Sequence, residues 1–249
     1  MLAELEDLHV WIELPDGSRR HPYRSSHHPN YDHQAVASML RDTEVFDGIG
    51  MVGRVGDDVG VAIVQGLPTP ADYDKFLKSM ARMRDASCWI VDLRANRGGS
   101  EPQAARLAGF FNDRRRKYAR AQIRSSTDGV GMREAPPRYL EAGEQQAFMK
   151  PVVCLIGPGC VSSGEGFALM MKSLPHVTLM GQPSRGASGN PRPARLSNGV
   201  VVWFSRWVSL ELDGTAIEGR GVAPDVLVEH QGEGDATFKQ ALKELQAEP

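Results

Sequence analysis

The stretch Cys88-Trp-Ile-Val-Asp-Leu-Arg-Ala-Asn-Arg-Gly-Gly-Ser100 changes character twice along its length. Apolar residues open it, a polar segment ending in two adjacent glycines follows, and apolar positions then resume at helical spacing through residues 104–111. A continuous apolar run is what a strand covered on both faces of a parallel sheet requires. Glycine permits the tight turn from such a strand into a helix. The reading is strand, glycine turn, helix. The same order recurs at Pro151-Val-Val-Cys-Leu-Ile-Gly157, the turn over residues 159–164, and residues 165–174 with apolar side chains at 167, 169, 170 and 174. Two such units imply an α/β fold with a largely parallel sheet covered by helices.

Working outward, Gly48-Ile-Gly-Met-Val-Gly-Arg-Val-Gly56, Asp57-Asp58 and Val59-Gly-Val-Ala-Ile-Val64 read as two strands joined by a tight polar turn. Thr69-Pro-Ala-Asp72 supplies a helix start with Thr69 as N-cap, and Phe76, Leu77, Met80 and Met83 form that helix's buried face. Val177-Thr-Leu-Met-Gly181 is a third short buried strand, residues 200–212 are β-rich, Val226-Leu-Val228 closes the sheet, and a helix spans residues 236–245. Toward the start, Val10-Trp-Ile-Glu-Leu14 is strand-like and is followed by a Pro15-Asp-Gly17 turn and a polar loop to about residue 32. Leu2, Leu5 and Leu8 repeat every three residues, as in the last turns of an amphipathic helix whose earlier part is missing. Residues 113–150 have few apolar anchors and read as an exposed excursion. The expected division is residues 1–66 as helix end, loop and hairpin, 67–230 as the core, and 231–249 as a C-terminal helix.

Composition sets the outer bounds. The 249 residues are 41% apolar and 24% charged with a formal net charge of -2, which excludes a disordered chain and a general attraction to nucleic acid. No apolar run is long enough to span a membrane. Cys88, Cys154 and Cys160 form neither a disulfide framework nor a metal-binding pair. His21, His27, His28 and His33 with Asp32 match no familiar ligand spacing, so neither metal nor cofactor is expected. Arg114-Arg-Arg-Lys117 is a single short basic run, read as a solvated helix end. The opening residues lack the regions of a signal peptide; compartment and oligomeric state stay open.

The residues that carry chemistry lie in the second turn, Gly159-Cys-Val-Ser-Ser-Gly-Glu165. A serine between a buried strand and a helix N-terminus meets unpaired backbone N–H groups and a dipole that favours negative charge. Ser162 is placed to attack a carbonyl, and the N–H of Ser163 to meet the charge that develops. Taken alone, the segment reads more readily as a helix cap than as a nucleophile. The first turn, Asn96-Arg-Gly-Gly99, changes the weighting, because it brings further backbone N–H groups to the same sheet edge.

Five short segments now stand in a specific order: residues 90–99, the strand from Pro151, Ser162-Ser-Gly-Glu165, Gly181-Gln-Pro-Ser-Arg-Gly186, and Glu218-Gly-Arg-Gly-Val-Ala-Pro-Asp225. Together they resemble the tail-specific, or carboxyl-terminal processing, serine peptidases over residues 2–230. The resemblance implies a crotonase-like, ClpP-like α/β core with a β-rich N-terminal part, acting on a polypeptide substrate; no PDZ domain is expected, because the interval between His9 and the strand at Cys88 is too short to hold one beside the hairpin and helix. In the branch with a serine-lysine dyad, a lysine follows the second glycine of the segment matching residues 181–186; here that residue is Ala187. The chain therefore resembles the branch of the tricorn core and the retinoid-binding relatives. That likeness implies His9 as base, after Leu2-Ala-Glu-Leu5, and Glu218 as the acid that orients it. It also implies Gly98 and Ser163 as oxyanion donors, with Gly99 and Glu165 as accessory residues. Glu165 equally complements the helix dipole. Leu8 departs from the serine that precedes the histidine in the tricorn core. The alternative is a member of the fold without chemistry that binds a peptide or small hydrophobic ligand.

Overall fold

The computed structural model describes every residue except 1, 24–26, 28–29, 125–130, 230–233 and 248–249. Its centre is a seven-stranded sheet built from β1 (Arg41–Phe46), β2 (Gly50–Val55), β3 (Val59–Val64), β4 (Cys88–Asp92), β5 (Val152–Ile156), β6 (Val177–Gly181) and β7 (Val226–Leu227). The spatial order is β7-β6-β5-β4-β3-β2-β1, the sequence order reversed. Pairing is antiparallel from β1 to β3 and parallel from β3 to β7. The hairpin read from residues 48–64 is thus part of the same sheet as the core strands.

Alternate residues of the apolar runs serve two different cores, which is why the runs carry no polar positions. Trp89, Val91, Val152, Cys154 and Ile156 face helices α2 (Tyr73–Ala81), α3 (Glu101–Gly109) and α4 (Ser163–Lys172), packing with Phe76, Leu107 and Phe167. Ile90, Val153 and Leu155 face the other way, toward Val36 of α1 (His33–Met39) and Phe238 and Ala241 of α5 (Ala236–Ala247). A sheet between two helical layers is the α/β architecture expected.

Three local readings are corrected. The N-cap of α2 is Asp72, whose carboxylate accepts from the Lys75 N–H at 3.0 Å. Thr69 lies too far upstream to cap a helix that starts at Tyr73. The leucine repeat at the start forms only a 3-10 turn, Leu2–Leu5, with no buried residue. Residues 113–150 are not simply an exposed excursion. Strands Met132–Glu134, Arg138–Leu140 and Trp207–Leu210 each pair with Arg116–Arg124, and Tyr118, Ala119, Leu140 and Phe148 are buried. Lys117 of the basic run lies within the first of these strands, and Arg116 opens it. The β-rich residues 200–212 divide between two sheets: Trp207–Leu210 joins this one, and Val201–Phe204 joins a sheet with Arg192–Arg195, Trp11–Glu13 and Arg19–Arg20.

Below the first glycine turn, Arg94 is fully buried. Its guanidinium donates to Asp92 Oδ1 and Oδ2 at 2.9 and 2.6 Å, to Asp235 Oδ1 at 2.7 Å and to the Asn30 carbonyl at 2.8 Å. Asp235 also accepts from the amides of Asp32 and Phe238. One buried cation thereby fastens the loop before α1 and the start of α5 to the end of β4. Removing one partner of a buried ion pair leaves an uncompensated charge. Asp235→Ala is expected to lower unfolding free energy by about 3 kcal/mol, read from the urea midpoint at unchanged slope.

Candidate active site

The turns after β4 and β5 meet at one edge of the sheet. The Val161 N–H donates to the Asn96 carbonyl at 2.9 Å, joining them. The Asn96 side chain donates to the Val64 carbonyl and accepts the Gly98 N–H, each at 2.9 Å. Gly98 has φ +79°, and a Cβ there would stand 2.7 Å from Ser162 Cβ and 2.9 Å from the Val161 oxygen. Glycine is therefore required at this position for the two turns to touch.

Ser162 holds φ +61° and ψ -125°, a left-sided conformation rare for a residue with a side chain. Such strain, about 1–3 kcal/mol, persists only where surrounding contacts over-determine it, and it recurs where a nucleophile is presented on a sharp strand-to-helix turn. The Ser162 N–H donates to the Ala187 carbonyl at 2.9 Å and to Glu165 Oε2 at 3.3 Å. Its hydroxyl lies 3.2 Å from His9 Nε2.

Glu165 is buried and is an organiser of this turn. Its carboxylate accepts from Ser184 Oγ and the Gly186 N–H, each at 2.6 Å, from the Ala187 N–H at 2.9 Å, and from Ser162. Burial pushes its carboxyl up to about 7, with these donors pulling the other way and the charge of Glu218 adding to the rise. Ala187 contributes only backbone groups to the site.

The structure brings Ser162, His9, Ser163, Gly98 and Gly99 together but does not carry Glu218 to His9. Glu218 Oε2 accepts instead from the Ser188 N–H at 3.0 Å and the Ser188 hydroxyl at 3.2 Å. The expected Gly98 donor is occupied by Asn96. Among the described residues, the amides of Gly99 and Ser163 have no acceptor. The Ser163 hydroxyl donates to the Gly99 carbonyl at 2.7 Å, holding these two amides near each other.

His9 is buried, and desolvation lowers its pKa below the ordinary 6.5, with the Asp7 charge opposing. Asp7 had no signal in the sequence beyond its place two residues before the histidine. Its Oδ1 accepts the His9 N–H at 2.7 Å, and its Oδ2 accepts from Ser205 Oγ at 2.5 Å.

A cleft of about 780 Å³ opens in front of Ser162. Trp11, Pro102, Met170 and Trp207 give it apolar walls, and no lysine lines it. Its floor is a polar cluster in which Arg138 and Tyr118 both donate to Glu101, and Arg138 donates to Ser209 Oγ at 2.9 Å. Gly166, one helical turn beyond Ser162, makes room for it: a Cβ there would sit 3.2 Å from Arg138 Nη2. Of the histidines weighed for metal, His28 lies outside the described residues, and no group of three ligating side chains gathers among the described ones. No helix among the described residues is long and apolar enough to cross a membrane.

Comparison with known proteins places the chain in a family. The Carboxy-terminal processing protease CtpA of Bacillus subtilis is 25% identical over 146 residues, covering 59% of this chain and 29% of its own length. The chain thus spans about a third of the curated relatives it matches. A putative peptidase from Parabacteroides merdae shares the fold over the whole chain and 81% of its own, with a TM-score of 0.86 at 24% identity. Mature CPAF complexed with lactacystin does so over 95% of this chain and 65% of its own, with a TM-score of 0.66 at 14% identity. The profile of peptidase family S41 matches residues 58–228, more than half of the sequence. With that match and the two joined turns at the sheet edge, the chain belongs to peptidase family S41.

Proposed function

We propose that the protein is a serine peptidase that hydrolyses peptide bonds of a polypeptide, as an endopeptidase or a carboxyl-terminal processing enzyme, with Ser162 as nucleophile and His9 as base. The 3.2 Å approach of His9 Nε2 to the strained Ser162 hydroxyl carries this reading. An unaided serine hydroxyl is a weak nucleophile, and only an adjacent base makes it competent near neutral pH. Ala187 leaves no lysine to act instead, which favours the histidine branch of the family. The same approach speaks against a member of the fold without chemistry, for which no base need face the serine.

Ser162 Oγ attacks the scissile carbonyl carbon while its proton passes to His9 Nε2. The carbonyl oxygen becomes an oxyanion, met by the Ser163 N–H and the N–H of the glycine turn; Gly99 is the turn donor free to serve, with Gly98 shaping the approach. His9 returns its proton to the leaving amine as the C–N bond breaks, leaving an ester on Ser162. Water then gives a proton to Nε2 and attacks the ester, and collapse releases the acid and restores the serine hydroxyl. Glu218 acts at one remove, fixing Ser188 at the wall of the cleft.

A fluorophosphonate probe is expected to label the wild-type protein at Ser162, and Ser162→Ala to lose both labelling and peptidase activity; equal labelling of the two proteins would remove Ser162 from the mechanism. Because the base must be neutral and burial lowers its pKa, the acid limb of kcat/KM is expected below pH 6.5, with activity lost as pH falls through it. A limb centred above 6.5 contradicts the assignment of His9. Gly98→Ala, which pushes on Ser162 Cβ, is expected to slow labelling about 100-fold while circular dichroism stays unchanged.

A further inference from the structure

The His9 nitrogen turned away from Ser162, Nδ1, is buried and has no hydrogen-bond partner among the described residues. An unpaired buried ring nitrogen is costly by about 1–3 kcal/mol. In a base it also leaves the tautomer unfixed, and Nε2 can accept the serine proton only if the ring hydrogen sits on Nδ1. Glu218, the acid implied by the family likeness, is engaged with Ser188.

The carboxylate that does face Nδ1 is Asp7, with Oδ1 at 4.0 Å. Both of its oxygens are already anchored. Oδ1 accepts the backbone N–H of His9, and Oδ2 accepts from Ser205 on the bend between strands Val201–Phe204 and Trp207–Leu210. Asp7 is therefore a held group beside the ring. The remaining gap to a hydrogen bond is about 1 Å, and catalytic hydrogen bonds in unliganded sites are commonly long and tighten when substrate binds.

We propose that Asp7 is the positioning residue for His9: its carboxylate takes the Nδ1–H of the neutral ring, turns the Nε2 lone pair toward Ser162, and stabilises the imidazolium formed when His9 takes the serine proton. The catalytic consequence rests on the peptidase reading; the contact itself does not. An acid two residues before the histidine lies on the same segment, so one short turn places both. Facing this pair are Ser162 at the start of α4, Ser188 on the loop after β6, and Glu218 behind Ser188. Burial raises the Glu218 pKa above the ordinary value, with the Ser188 hydrogen bonds opposing and the Asp7 charge adding to the rise, and its carboxylate is turned to Ser188.

The substitution Asp7→Asn separates positioning from mere loop structure. Asparagine keeps an oxygen for the His9 N–H and a polar group for Ser205 but removes the negative charge. With ¹⁵N-labelled histidine, the wild-type His9 ring is expected to show the Nδ1–H tautomer above its pKa. In Asp7→Asn that preference is lost and the ring titrates about one pH unit lower. Probe labelling of Ser162 is expected to slow about 100-fold or more, with its acid limb moved to lower pH, and Asp7→Glu to recover part of the rate. An Asp7→Asn protein with the wild-type tautomer and titration overturns the proposal, as does a limb that moves with Glu218→Gln and not with Asp7→Asn. If the ring responds as expected but wild-type Ser162 is never labelled, the Asp7 contact stands and the peptidase reading falls.

Discussion

A single buried carboxylate holds the reactive turn in place. Glu165 gathers four donors from two segments, and what it gathers determines where Ser162 can be. By taking the amides of Gly186 and Ala187 it folds their loop against the first turn of α4, which delivers the Ala187 carbonyl to the Ser162 N–H. The serine is then fixed in a conformation that would relax if any of these contacts were missing. Hydrogen bonds contribute about 0.5–1.5 kcal/mol each, enough in combination to offset the strain at Ser162. A glutamate at the third position of a helix is usually explained by the helix dipole. Here that explanation accounts for the smaller part of its effect.

The parts of the fold that follow from strong local signals were legible in the sequence. The runs 88–91 and 152–156 are apolar throughout because both of their faces are covered, and the glycines after each mark where backbone must approach backbone. The edge strand β1, Arg-Asp-Thr-Glu-Val-Phe, gives no such signal: nearly all of it is exposed, and its order comes from pairing with β2 rather than from an apolar face. The segment 113–150 looked open because Tyr118 and Ala119 stand far in sequence from Leu140 and Phe148, and these buried residues meet only once the strands pair.

The site divides in the same way. Ser162, Ser163 and the glycine turn belong to the two repeated units and could be placed from pattern. His9 and Glu218 entered through a family likeness, and only His9 reaches the serine. Asp7 was missed because an aspartate near a turn has a sufficient local explanation: it accepts the amide two residues ahead, as aspartates in loops commonly do. What raises it above that role is the relation of its carboxylate to Ser205 and to the far side of a ring, neither of which is encoded nearby. The Arg138, Glu101 and Tyr118 cluster is another long-range product, with members from a strand, a helix and a second strand converging where Gly166 leaves space.

His9 and Ser162 stand on different cooperative units. Ser162 rises from the middle of the seven-stranded sheet, whereas His9 precedes the three-residue strand Trp11–Glu13, which is held to Val201–Phe204 by a short ladder and the stacking of Trp11 on Trp203 at 5.0 Å. None of those three residues is fully buried, so this small sheet has a lower opening free energy than the core. When it opens, His9 leaves the Ser162 hydroxyl while the serine and the amides beside it keep their places, and on the reading proposed above the molecule is then folded but inactive. On that reading the population of competent molecules follows a peripheral ladder, and a ligand that clamped Trp11 onto Trp203 would raise activity without touching the reacting atoms.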